Sequence, residues 1–103
     1  MILVNTDFIS GKQLDTLGIV KGTTVQSKHL GSDIMASFKT IVGGQLEGYT
    51  EMLNNARALA TKRMVAEAEE LGADGVINIR YYSSSITRNA AEVVVYGTAV
   101  KFG

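Results

Sequence analysis

What most restricts this chain is a run of apolar residues at helical spacing. Leu46, Tyr49, Leu53, Ala56, Ala60, Met64, Ala68 and Leu71 step by three or four residues, which places them on one stripe of an α-helix. Gly72 follows directly and supplies the left-handed residue that ends such a helix. At 1.5 Å per residue, the stretch from Leu46 to Leu71 is about 39 Å long. A compact domain of 103 residues has a radius of gyration of about 13 Å. The helix is therefore expected to outreach its own globule and to seek cover from other copies of the chain. A chain that stays monomeric is expected to break this helix at Asn54-Asn55, two poor helix formers in succession.

Proline is absent, so the 11 glycines do the punctuating. Residues 2–5 form a short apolar strand. Leu17 to Lys28, rich in Val, Ile and Thr, reads as a strand bent or bulged at Gly18 and Gly22. Ser32 is positioned to cap a short helix whose apolar face is Ile34, Phe38, Ile41 and Val42. That helix is expected to stop at a tight turn at Gly43-Gly44, with the long helix beginning near Gln45 or Leu46. Gly75 to Ser85 and Glu92 to Lys101 are β-rich and joined by a polar segment containing Thr87, Arg88 and Asn89, the pattern of a hairpin. Strict alternation puts Ile77, Ile79 and Tyr81 on one face of the first run, and Val76, Asn78, Arg80 and Tyr82 on the other. In the second run Val93 and Val95 oppose Val94, Tyr96 and Val100, so both of its faces ask for cover. The expected fold is a single α+β domain over residues 1–103, an antiparallel sheet of about four strands packed on one long helix plus one short helix. Its expected partner is itself, in a homo-oligomer.

Composition narrows the function classes. Ten basic residues balance 10 acidic ones, leaving no field to recruit a polyanion, so no nucleic-acid partner is expected. The chain has no cysteine, which removes disulfides, thiolate nucleophiles and Cys-based metal sites. The apolar run at Ile2-Leu3-Val4 is too short for a signal sequence and lacks a basic segment before it. No stretch approaches the ~20 apolar residues of a membrane span, so the expectation is a cytoplasmic protein without membrane contact.

Candidate chemistry is sparse. His29 and Asp33, four residues apart, amount to two metal ligands with no third nearby. Gly43-Gly44-Gln45-Leu46-Glu47-Gly48 leads into the long helix but matches neither phosphate-binding fingerprint. Glu47, Glu51, Glu67, Glu69 and Glu70 read as solvated helix faces, with Arg63 placed to offset Glu67. Ser83-Ser84-Ser85 has no activating partner. Arg80, Tyr81, Tyr82 and Tyr96 suit subunit contacts first and a small ligand second. No catalytic, cofactor-binding or metal residue is assigned.

Together, Ile19-Val20-Lys21-Gly22, Ile41-Val42-Gly43-Gly44 with Tyr49, Glu67-Ala68 with Leu71-Gly72-Ala73-Asp74-Gly75-Val76-Ile77, and Gly97-Thr98-Ala99-Val100 resemble the YbjQ-like family of small bacterial proteins. The likeness spans nearly the whole chain. It implies an antiparallel sheet on a long helix, an architecture similar to that of dodecin subunits, and assembly into a ring, a pentamer. It also brings a heavy-metal-binding label, which without cysteine would rest on His29, methionines and carboxylates. Dodecins stack flavin on tryptophan, and this chain has none, so no cofactor is expected. The reading that follows is a non-catalytic, ring-forming homo-oligomer that binds a small ligand or metal ion. The alternative is an enzyme whose active site forms between subunits from Arg80, Tyr82 and Glu92.

Overall fold

The computed structural model describes residues 1–27, 42–87 and 90–103. Its elements are β1 (Ile2–Leu3), β2 (Leu14–Ser27), α1 (Val42–Glu70), β3 (Gly75–Thr87) and β4 (Ala90–Phe102). The strands form one sheet in the order β1-β3-β4-β2, and α1 lies across one face. The β3–β4 hairpin is present, and β4 also runs antiparallel to β2. The sheet is nevertheless mixed rather than purely antiparallel, because β1 pairs with β3 in parallel through Ile2↔Gly75 and Leu3↔Val76. A tight turn dictates direction only between strands it joins. Here β2 and α1 intervene between β1 and β3, so no turn constrains that pair. The short helix expected from Ser32 falls outside the described residues.

The long helix is described over Val42–Glu70, so Gly43-Gly44 lie within it rather than in a tight turn before it. Glycine lowers helix propensity by only about 1 kcal/mol relative to alanine, which neighbouring helical residues can outweigh. The helix passes through Asn54-Asn55 without interruption. At its other end Gly72 has φ +75°. Gly72 N–H donates to the Glu69 carbonyl at 3.0 Å and Ala73 N–H to the Ala68 carbonyl at 3.1 Å. These two bonds satisfy carbonyls the helix leaves open, in the Schellman arrangement.

The helix does not outreach its sheet. Its 29 residues span about 44 Å, and β2, with 14 residues, is about as long at ~3.3 Å per residue. The protein is accordingly elongated, 55 × 23 × 17 Å with a radius of gyration of 16.8 Å. The helix would outreach a compact globule but not this protein, because long strands supply it with a floor of its own.

Ala56, Ala60, Met64 and Ala68 on α1 are fully buried, facing Val20 on β2, Val76 and Ile79 on β3, and Val93, Val95 and Ala99 on β4. Gly22 sits under the middle of the helix, where an added Cβ would meet the Ala60 carbonyl oxygen and the Met64 amide nitrogen. Its role is thus close backbone approach, whereas the bulge in β2 occurs between Thr16 and Gly18. Arg63 donates from Nη1 to the Thr23 carbonyl at 2.6 Å, tying the helix to β2.

Thr24, on the same floor, is 3% exposed, and its Oγ1 has no hydrogen-bond partner among the described residues. A buried hydroxyl without a partner keeps its desolvation cost and gains nothing in return. Thr24→Val is expected to raise the unfolding free energy by about 1 kcal/mol, measured by urea denaturation. A loss of similar size would show that the hydroxyl is bonded.

Candidate functional site

The face of the sheet turned away from α1 is set by two bulges. Between Ile77 and Arg80 the pairing with β4 slips, and Asn78 there has φ 54°. Asparagine is among the few side chains that tolerate this left-handed conformation. The extra residue reverses the alternation expected for β3. Ile79 and Tyr81 join Val76 on the helix side, while Arg80 and Tyr82 fall with Ile77 on the opposite side. Tyr81 places its hydroxyl 2.8 Å from Thr61 Oγ1. Thr61 in turn donates to the Arg57 carbonyl at 2.7 Å, which leaves the tyrosine as the donor of the pair. Tyr81 thus braces α1, apart from Arg80, Tyr82 and Tyr96.

One end of this second face is covered from within the chain. Ile9 of the N-terminal segment packs on Ile77 and Val100, with Val4, Leu14 and Phe102 around them. Thr6 and Val4 accept from Asn78 N–H at 2.9 Å and Ile79 N–H at 3.2 Å, which anchors that segment beside the β3 bulge. The double-sided apolar pattern of β4 is answered here by the N-terminus.

Beyond that cover the face is open. Strand register builds three successive rungs across β2, β4 and β3: Lys21–Tyr96–Arg80, Thr23–Val94–Tyr82 and Val25–Glu92–Ser84. Ile19, opposite Thr98, precedes them and is 78% exposed, and Val25, Tyr82 and Tyr96 are 54%, 51% and 43% exposed. Arg80 donates from Nη1 to the carbonyls of Asn5 at 3.3 Å and Ile79 at 3.2 Å, so its guanidinium is tethered at one corner. Among the described residues the cation found over an aromatic ring is Lys12, 5.0 Å from the centre of Phe102, which leaves the Tyr82 and Tyr96 rings uncapped by any described cation. A shallow hollow lined by Leu3, Val4, Asn5, Ile79 and Tyr81 lies on the other side of the β3 edge.

The remaining candidates do not gather. His29 and Asp33 lie outside the described residues. Gly43, Gly44 and Glu47 lie within α1. Glu51, Glu69 and Glu70 are exposed and Glu67 is half-buried on the helix. Ser83 to Ser85 run inside β3, with Ser83 and Ser84 exposed. Arg80 and Glu92 share the open face but are two rungs apart, about 14 Å along the strands, too far for a direct acid–base or ion pair within one chain. Lys21 and Ile19 were missed as site residues. Their face follows from the position of the Gly18 bulge, for which the glycine in a β-branched run was the available signal.

A model of the YbjQ family, described as "Putative heavy-metal-binding", matches residues 1–103. The chain belongs to the YbjQ-like family. It is 68% identical over 102 residues to a UPF0145 protein of Alkaliphilus metalliredigens, covering 99% of each chain. A UPF0145 protein of Clostridium novyi is 63% identical over 101 residues, 98% of each. A solved structure of a protein of unknown function from Pediococcus pentosaceus, of the DUF74 family, superposes with a TM-score of 0.74. It covers 100% of this chain and 98% of that one at 16% identity, a likeness of fold.

No three of His, Cys, Asp and Glu come together among the described residues, and the sequence has no cysteine to offer a soft ion. Nor is any described helix long and apolar enough to cross a membrane.

Proposed function

We propose that this YbjQ-like protein is a non-catalytic, cytoplasmic binding protein whose working unit is a homo-oligomeric ring. The observation that carries the reading is the outer edge of β3. From Ile2 to Thr6 the N-terminal segment lies against it, but beyond Arg80 no described strand does. Solitary sheet edges are normally guarded by lysine, proline or a bulge. The stretch Tyr81-Tyr82-Ser83-Ser84 has no proline or lysine, and the register beside it is regular from Arg80 to Ser85. The other outer strand, β2, carries Asp15, Lys21, the Gly18 bulge and the Arg63 bond to Thr23. The two edges are unlike, so a contact that joins one to the other is heterologous, and such a contact builds a ring where its rotation closes. Five members is the number implied by the family resemblance.

Sedimentation equilibrium at micromolar concentration is expected to return about five times the 11.0 kDa of one chain. A mass of two chains would refute the ring, and a mass of one chain would refute self-association itself. The ring's cargo is a small ligand or a metal ion: the family's description favours the metal, and the exposed Arg80, Tyr82 and Tyr96 on the open face favour the ligand.

A further inference from the structure

The open face pairs two features that call for different halves of the same molecule. Tyr96 stands between Lys21 on β2 and Arg80 on β3 in one rung, with both cations exposed. Neighbouring strands put each of these Cα atoms about 5 Å from that of Tyr96. The next rung sets Tyr82 diagonally beside Tyr96 across the half-buried Val94, close enough for one planar group to touch both rings. Net charge over the Lys21–Tyr96–Arg80 and Thr23–Val94–Tyr82 rungs is positive, in a chain whose formal charge is zero. The carboxylate on this face, Glu92, stands one rung beyond Val94, where it repels an anion away from that end and toward the cations.

We infer that the face formed by Lys21, Arg80, Tyr82, Val94 and Tyr96 binds a small planar aromatic anion. The ring of the ligand lies on Tyr96 and Val94 with its edge against Tyr82, and its carboxylate or phosphate is held by Lys21 and by the guanidinium nitrogens of Arg80 not engaged with Asn5. The two bulges make the site. Without the Asn78 slip Arg80 would face α1, and without the Gly18 slip Lys21 would do the same. This deepens the ligand-binding part of the function proposed above and is independent of ring formation, because the edges and the open face are different surfaces of the sheet.

The test is titration of the intact chain with 2-naphthoate, followed by the ligand's fluorescence and by amide shifts of Val94 and Tyr96, with 2-naphthol as the uncharged control. Saturable binding is expected, with 2-naphthol weaker by about tenfold and Lys21→Gln weaker for 2-naphthoate by a similar factor. Tyr96→Leu should lose affinity for both compounds. Lys21 makes no described contact, so its variant tests the site without disturbing the fold; circular dichroism of Arg80→Gln, which gives up the Asn5 bond, checks that second variant. Equal affinity for the two naphthalenes, or an unchanged constant in Lys21→Gln, would overturn the site. So would absence of binding together with a drop in sedimentation mass on Ile19→Asp, which would mean that a second copy covers the face. A ring mass with no naphthoate binding sinks this inference alone, and binding by a single chain sinks only the ring.

Discussion

Gly22→Ala is expected to lower the unfolding free energy by about 3 kcal/mol, at the upper end of the usual cost of overpacking. The atoms an added Cβ would meet are the Ala60 carbonyl oxygen and carbon and the Met64 amide nitrogen, all backbone. No rotamer change can relieve that contact, so the helix must lift from β2. Lifting it loosens Ala56, Ala60 and Met64 from Val20 and Val95 together. For a domain of this size each kcal/mol corresponds to roughly 4–8 °C in Tm, so the variant should melt well below the parent in thermal circular dichroism. Gly11→Ala serves as the comparison. Its φ of +75° is unfavourable for alanine but the space around it is open, and a cost of about 1 kcal/mol is expected. If Gly22→Ala were no worse than Gly11→Ala, the helix would not be seated on β2 at that point.

Met64→Ala is the second large effect. Among the described residues Met64 is the largest fully buried side chain, and it shares its cluster with Ala56, Ala60 and Ala68 on the same helix. Small neighbours have little side chain with which to refill a void, so the site cannot collapse to recover the lost contacts. A loss of about 3–4 kcal/mol is expected, within the range for a buried methionine truncated to alanine. Urea denaturation should show a lower midpoint with an unchanged slope. Met64→Leu, nearly equal in volume, should cost less than about 1.5 kcal/mol. A Met64→Ala cost as small as that of Met64→Leu would mean that the Met64 side chain is not packed as described.

The two predictions meet at one structural device. A flat stripe of alanines on α1 and a glycine on β2 bring helix and sheet backbones together, and methionine fills the space beside them. Each half was visible in the sequence, the alanines through their spacing and Gly22 as an interruption in a β-branched run. That they face each other was not visible, because it depends on which strand lies under the helix. The hairpin was legible for a different reason: β3 and β4 follow one another with a short polar connection, so their pairing is local. The parallel β1 was not legible, since its partner lies more than 70 residues away in sequence and no local signal sets its direction.

The candidate site shows the same division. Arg80, Tyr82 and Tyr96 stood out by residue type, but simple alternation put Tyr82 with Asn78 and Tyr81 with Ile77 and Ile79. One left-handed residue, Asn78, reverses that assignment for everything after it. Period-two patterns carry no memory of where a bulge falls, and a one-residue slip exchanges the two faces. Lys21 reaches the site through an equivalent slip at Gly18.

By itself the sequence determined the long helix with its buried stripe and its Gly72 end, the hairpin, the strand content and the family, because each rests on interactions between residues close along the chain or on matching composition. The tertiary structure alone decided the mixed order of the sheet, the close seat of α1 on Gly22, the elongated shape that gives the helix its floor, and the meeting of Lys21, Tyr96 and Arg80 on one open face. Those features depend on pairing between distant segments, where register and bulges, rather than local preference, choose which side chains become neighbours.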